Sequence, residues 1–408
     1  MKFIFILILL TITPVCFSQS GKRIKVKKGA WISELLLTDT DVLPFNMKVK
    51  KNNVLVIENG QEEILLNSPT LIRDSFHVRF PYFNSELVFA VKNKKKISGY
   101  WVNYNKSKDY KIPFVSTKKR TSRFSMITKK ASSVNVNGKW KVTFEPNTKS
   151  AYPALGIFDQ KEGENTVSGT FLTETGDYRF LEGNCTEDSV YLSCFDGSHA
   201  FLFKARNNGD SLFGKFFSGK NWKSEWHAEK NEDYKLTSPD ELTYIVDSNA
   251  LTLNLKALDG SDFTFPNPTF DGKVIIIQIM GSWCPNCLDE TIYYKELYNA
   301  YHDQGLEIIS IGYENGDNFE GHVANINRLK NKLDLQFTFV VGGSASKGLA
   351  SEHFKVLNEV ISFPTSIFIG RDGEVKRVHT GFNGPGTGSY YREYVEKTNA
   401  LIESLLIQ

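Results

Sequence analysis

The sequence predicts a multidomain chain: an all-β N-terminal region made of two similar antiparallel barrel or sandwich units, followed by an α/β domain. Three observations carry this expectation. Residues from about 21 to 229 fall into short alternating segments broken by Asn, Gly and Lys, without sustained helical periodicity. The same landmarks occur twice in that region, about 110 residues apart. Beyond Leu251, strands and helices alternate, and an apolar run there ends in Cys-Pro-Asn-Cys.

The composition permits this architecture. With 408 residues, of which 41% are hydrophobic and 13% aromatic, the chain has material for two or three packed cores. Its 49 basic and 46 acidic residues leave a formal net charge of +3. That balance is too even to imply nucleic acid or an anionic surface as the partner. Clusters such as Lys94-Lys95-Lys96 and Lys118-Lys119-Arg120 read as solvated turns.

At the N-terminus, Lys2 precedes an apolar run from Phe3 to Val15, and Cys16-Phe17-Ser18 follows. Residues 1–18 therefore read as a secretory signal peptide cleaved after Ser18, which implies an exported, periplasmic or otherwise extracytoplasmic protein. Acylation of Cys16 would make it a lipoprotein, and membrane association is expected only in that case. Val15 argues against it, being bulkier than the residue usually found before a lipidated cysteine.

Residues 19–130 and 131–237 form the two β-rich units, called unit 1 and unit 2 below. Gly29-Ala30-Trp31 answers to Gly138-Lys139-Trp140, Asp74-Ser75 to Asp188-Ser189, Phe83-Asn84 to Phe195-Asp196, and Gly99-Tyr100-Trp101 to Gly214-Lys215-Phe216. Strands are expected at Val54–Ile57, Phe76–Phe80 and Val190–Leu192, with the Trp and Phe positions forming each core. A docking or substrate-presenting role and a purely structural one are equally open, because fold alone does not carry function. His77, His199 and His227 lack metal-ligand spacing. Cys185 and Cys194 could bridge in an oxidising compartment. A turn at Thr186–Ser189, however, sets Cys185 opposite a residue near Val190 and leaves Cys194 too far along the strand, so two buried free thiols are favoured.

The domain boundary falls near Ser238, where Ser238-Pro239-Asp240-Glu241 suggests a capping turn, and residues 238–408 form the last domain. Leu251–Leu255 and Phe263–Phe265 read as a hairpin turned at Asp259-Gly260. Val274–Met280 reads as a buried parallel strand, and a helix follows from Pro285 to about Leu297. Leu306–Gly312 is a second central strand. An amphipathic helix carrying Phe319, Val323, Ile326 and Leu329 on one face comes next. Further strands are expected at Phe337–Val341, Thr365–Ile369 and Glu374–Thr380, with helices near Ser346–Phe354 and Tyr390–Leu406. Gly384-Pro385-Gly386-Thr387-Gly388 lacks the lysine and spacing of a phosphate loop and reads as a flexible loop at the site edge.

The two thiols sit where strand becomes helix. Pro285 suits the first helical position, so Cys284 lies at the helix mouth, where unpaired N–H groups and the helix dipole favour a thiolate. Cys287, one turn further in, is expected to be more buried. Cys284 is then the attacking sulfur and Cys287 the resolving one. A zinc site would need two more ligands at comparable spacing, and no second cysteine pair exists. Trp283 is expected to flank the pair as an apolar contact surface, and Glu290 and Lys295 read as solvated helix charges.

From about Leu251 to Leu406 the chain resembles thioredoxin-like thiol-disulfide oxidoreductases of the TlpA/ResA type, on Trp283-Cys284-Pro285-Asn286-Cys287 and the downstream Ser362-Phe363-Pro364-Thr365. The resemblance implies a thioredoxin fold, an extracytoplasmic protein-disulfide reductase, and a cis peptide at Pro364 that leaves the Phe363 backbone free to pair with substrate. The buried aspartate of thioredoxin is replaced by Gln278, which cannot titrate. The resemblance instead points to Glu314 as proton shuttle for Cys287, with a raised pKa. No cofactor beyond the redox-active Cys284–Cys287 pair is implied. The partners implied are disulfide-containing exported proteins and a membrane thiol donor. Two rivals remain: a binding protein whose β units recognise a ligand, and a thiol peroxidase. The second is disfavoured because Gly281 and Ile277 stand where a peroxidatic site wants threonine and proline.

Overall fold

A glycine in left-handed backbone followed by a buried tryptophan opens each β unit. Gly29 has φ 112° and Gly138 φ 107°, values that favour glycine. The Trp31 indole N–H donates to the Lys27 carbonyl at 2.9 Å, and that of Trp140 to the Val136 carbonyl at 2.8 Å. The same four-residue loop-back thus anchors both units. The computed structural model describes residues 26–107, 109–118, 123–124, 135–247 and 251–408. The expected signal peptide, residues 1–18, and Cys16 lie outside the described residues.

Unit 1 is an antiparallel meander of nine strands, from Gly29–Leu36 to Lys111–Thr117, in which the first strand pairs with the last. Glu62–Leu65 and Thr70–Ile72 are left as the two free edges. Unit 2 also has nine strands, from Gly138–Phe144 to Trp222–Lys230, and its first and last strands also pair, but the short strand Gly176–Asp177 hangs on Thr166–Thr173 outside the sequential run. Here Tyr152–Asp159 pairs with Thr166–Thr173, which pairs in turn with Leu181–Cys185, so the ring closes into a barrel. The repeat landmarks fall at equivalent places. Ser75 and Ser189 each begin a strand, and Gly99 and Gly214 lie on the next-to-last strands. A Cβ on Gly99 would be 2.6 Å from the Phe89 Cα, and one on Gly214 2.6 Å from the Trp226 ring, so both positions demand a missing side chain.

Cys185 pairs in register with Val190 and Cys194 with Phe201, and both cysteines are buried free thiols. Burial pushes the Cys185 thiol up to about 12, which makes it inert rather than redox-active.

The last domain carries a seven-stranded mixed sheet. Its order is Asp262–Phe265, Leu253–Ala257, Thr338–Ser344, Leu306–Glu314, Val274–Met280, Thr365–Ile369, Val375–Thr380. Val274–Met280 pairs parallel with Leu306–Glu314, and every one of its residues is buried. The active-site helix, Pro285–Tyr301, packs against the C-terminal helix, Ser389–Ile407, through Tyr293, Tyr294 and Tyr394. The short helix Pro239–Leu242 is tied to the sheet where Asp240 Oδ1 meets His379 Nδ1 at 2.6 Å, an acid neighbour for His379 that lies too far along the chain for sequence to show.

The three bodies share packing. Phe195 of unit 2 inserts among Phe45, Phe80 and Trp101 of unit 1, with ring centroids 4.6–5.5 Å apart. The segment 384–388 differs from the flexible loop expected. The Gly384 N–H donates to Asp177 Oδ2 at 2.7 Å, and Thr387 is buried. That loop is a docking point for unit 2.

Candidate active site

The buried strand Val274–Met280 delivers the chain to Gly281, and the turn after it ends at Cys284, which caps the active-site helix. The Cys287 N–H donates to Cys284 Sγ at 3.3 Å, so the first sulfur takes the place of a capping oxygen. Cys284 retains 8% exposure and Cys287 none, and both are free thiols. Burial, then the adjacent Cys284 sulfur, hold the Cys287 thiol well above its ordinary range, with the Glu290 charge adding to this.

Trp283 and Phe363 stand edge to face with ring centroids 6.1 Å apart, and Phe363 stacks on Tyr313 at 5.5 Å. The Trp283 indole N–H donates to the Tyr313 carbonyl at 2.9 Å, which fixes the ring beside the dithiol. The Phe363–Pro364 peptide is cis. The Phe363 carbonyl accepts the Cys284 thiol at 3.5 Å, and the Pro364 carbonyl accepts the Gly381 N–H at 2.8 Å. Trp283, Cys284, Cys287, Phe363 and Pro364 are therefore brought together.

Glu314 is placed elsewhere. It is fully buried, and burial raises its pKa as expected, but its two oxygens accept from Ser282 N at 2.8 Å and Ser282 Oγ at 2.6 Å. It braces the turn that presents Cys284, its hydrogen bonds coming from Ser282 and not from Cys287.

The acid whose charge bears on Cys287 is Glu290, which is 0% exposed rather than solvated. Gln278 Nε2 donates to its Oε2 at 2.8 Å, while Ser366 Oγ and Tyr294 Oη donate to Oε1 at 3.0 and 3.2 Å. Gln278, Ser310 and Ser366 are register partners on three adjacent strands, so the sheet offers the carboxyl a polar row. Burial pushes Glu290 up to about 7, against these hydrogen bonds. The signal lay in the spacing: Glu290 follows Cys287 by three and precedes Tyr294 by four, on the face the helix buries. Lys295 is also engaged, its Nζ donating to the Leu333 carbonyl at 2.6 Å.

Unit 2 reaches the site from two sides. Ser198 Oγ donates to the Trp283 carbonyl at 3.0 Å, and Ser362 Oγ donates to the Thr175 carbonyl at 3.1 Å. Between these contacts, Arg179 is buried against the helix mouth. Its Nη1 meets Asp289 and the Pro285 carbonyl, and its Nη2 meets Glu62 of unit 1 at 2.6 Å. One guanidinium thus joins all three bodies two residues past Cys287. No local pattern marks it in sequence. Among the described residues, no group of three or more His, Cys, Asp or Glu is arranged to hold a metal ion.

A seven-stranded mixed sheet with a dithiol at a helix mouth and a cis-proline beside it defines a thioredoxin-like domain. Residues 245–394 match the Redoxin family. The thiol-disulfide oxidoreductase ResA of Bacillus thuringiensis subsp. konkukian is 32% identical over 130 residues, which cover 31% of this chain and 65% of that protein. The chain thus spans slightly under two thirds of that relative's length. The sporulation thiol-disulfide oxidoreductase A of Bacillus subtilis is 24% identical over 143 residues, covering 35% and 77%. The crystal structure of StoA from Bacillus subtilis aligns at 21% identity and a TM-score of 0.27, covering 37% of this chain and 99% of that one.

Proposed function

We propose that the protein is an exported thiol-disulfide oxidoreductase that reduces disulfides in other extracytoplasmic proteins. The observation that carries this reading is the Cys287 N–H bond to Cys284 Sγ, with that first sulfur against the carbonyl of the cis Phe363–Pro364 peptide. Similarity to proteins named thiol-disulfide oxidoreductases supports it. Export rests on the N-terminal sequence from Lys2 to Ser18. No helix among the described residues is long and apolar enough to cross a membrane.

The chemistry follows from the asymmetry between the sulfurs. The Cys284 thiolate attacks one sulfur of a substrate disulfide, forming a mixed disulfide and releasing the other substrate sulfur as a thiolate, which takes up a proton. Cys287 must then lose its own proton, which burial opposes. Glu290, poised at about 7, accepts it. The Cys287 thiolate attacks Cys284 Sγ, the Cys284–Cys287 disulfide forms as the mixed disulfide breaks, and the second substrate sulfur leaves as a thiolate that takes up the proton held by Glu290. The substrate gains two electrons and two protons, and a membrane thiol donor restores the dithiol.

Cys287→Ala should leave targets covalently attached to Cys284, and Cys284→Ser should abolish insulin reduction. Equal rates for wild type and Cys284→Ser would sink the reading in favour of a binding protein. Glu290 is protonated below about pH 7 and cannot accept a proton there. Resolution in wild type should therefore accelerate as pH rises through about 7, and Glu290→Gln should lose that inflection and resolve about 10²-fold or more slowly. Stopped-flow release of the second substrate thiol from the mixed disulfide reads this directly. An unchanged profile would remove Glu290 from the mechanism.

A further inference from the structure

Two of the contacts that unit 2 makes beside the dithiol come from separate loops. Hairpin 173–177 connects Thr166–Thr173 to the two-residue strand Gly176–Asp177, and its Thr175 carbonyl takes the Ser362 hydroxyl just before Phe363. Loop 196–199 reaches the Trp283 carbonyl through Ser198. The hairpin contact is built for close approach. A Cβ on Gly176 would collide with the Asn286 side-chain amide, one on Gly381 would lie 2.6 Å from the Thr175 carbonyl carbon, and one on Gly384 2.7 Å from Asp289 Oδ2. Glycine on both sides lets backbone meet backbone.

Between the hairpin and the Trp283 to Asn286 turn lies a cleft of about 480 Å³. Tyr152, Thr175 and Tyr178 of unit 2 form one wall, and Trp283, Lys347 and Phe363 form the other. Its size falls within the roughly 300–1,000 Å³ of ligand sites. Trp283 and Asn286, the residues that flank Cys284-Pro285, line it, and Cys284 itself is 8% exposed. Among the described residues nothing pairs with the Phe363 N–H, which leaves one backbone donor for an incoming chain.

We propose that hairpin 173–177 of unit 2 is a fixed wall of the substrate cleft, which admits an extended, unfolded polypeptide carrying a cysteine and excludes folded proteins. This rests on the reductase reading above and adds the substrate class. An extended segment needs only about 4.8 Å of lateral room beside the backbone it pairs with. A disulfide flush with a convex folded surface meets the hairpin before its sulfur reaches Cys284. The aromatic wall of Tyr152 and Tyr178, whose hydroxyls share a 2.7 Å hydrogen bond, offers apolar side chains of the unfolded segment a surface across from Trp283.

The experiment compares one single-disulfide protein in its folded form with the same protein unfolded by a core substitution. Both are reduced by the full-length wild type and by two variants, Gly176→Val, which wedges the hairpin from Asn286, and Ser362→Ala, which removes its hydroxyl tether. Wild type should show a kcat/KM at least tenfold higher for the unfolded form, and the ratio should fall toward one in Gly176→Val and partly in Ser362→Ala. Equal values for folded and unfolded forms in wild type would overturn the proposal, whether or not either variant folds. An undiminished ratio in a folded variant would overturn it too. A small aromatic disulfide serves as the third substrate. If wild type reduces it while showing no preference between the folded and unfolded protein, the wall alone fails, whereas its persistence unreduced would overturn the reductase reading beneath it.

Discussion

Unit 1 and unit 2 begin alike, with a left-handed glycine and an indole bonded four residues back, and both pair their first strand with their last. They end differently. Unit 2 closes its ring and inserts hairpin 173–177, Arg179 and Ser198 around the dithiol, while unit 1 stays open between Glu62–Leu65 and Thr70–Ile72. Leu65, Leu71 and Ile72 are 56%, 61% and 51% exposed along those edges. Two copies of one pattern have therefore diverged where one of them touches the redox domain. Closure gives unit 2 a rigid frame from which short loops can be held against another body.

The sharpest break of this comparison is Arg179→Ala. Unit 1 reaches the active-site helix through this guanidinium, because Glu62 and Asp289 meet on it. Removing it leaves both carboxylates and Asp196 buried without their cation, which costs about 3–5 kcal/mol. Chemical denaturation should show the loss, and limited proteolysis should cut faster between residues 231 and 238 as unit 2 undocks. If unit 2 is a passive spacer, the midpoint will shift little and cleavage there will not change.

The pattern that the two units share was legible in the sequence, and what separates them was not. Glycine–tryptophan openings, alternating strands and the Cys-Pro-Asn-Cys turn are local signals that repeat or stand at fixed spacing. The turn at Thr186–Ser189 likewise set Cys185 opposite Val190. Glu290 was misread because a charge on a helix is usually solvated, yet this helix is covered by the sheet and the C-terminal helix. Glu314 was placed on the right strand end, and its partner proved to be Ser282. Arg179, Asp177 and Thr175 carry no local mark at all. Their meaning depends on contacts with residues more than a hundred positions away, which spacing cannot reveal.

A smaller test asks whether the shared opening is energetically shared. Trp31→Phe and Trp140→Phe each remove a buried indole hydrogen bond and part of a ring that is 1% exposed. Each should cost about 1–3 kcal/mol, and the two losses should agree within about 0.5 kcal/mol. Urea midpoints of the single variants measure this. A loss in unit 2 several times that in unit 1 would show that the closed barrel depends on its anchor in a way the open meander does not.

The smallest expected effect lies at the open edge. Leu71 sits in Thr70–Ile72, a strand paired on one side with Ser75–Arg79 and exposed at all three residues. Leu71→Lys removes apolar surface that the folded chain does not bury, so stability should stay within about 0.5 kcal/mol of wild type. The ring closure of unit 2 predicts the opposite for Leu181, which is 1% exposed on the strand that completes the barrel. There a lysine would bury an unpaired ammonium, and the barrel should unfold well below the wild-type midpoint. Thermal melts of the two variants set the open edge against the closed one. A strongly destabilised Leu71→Lys would mean that this edge is covered in the native protein and that unit 1 is closed by something outside its own sheet.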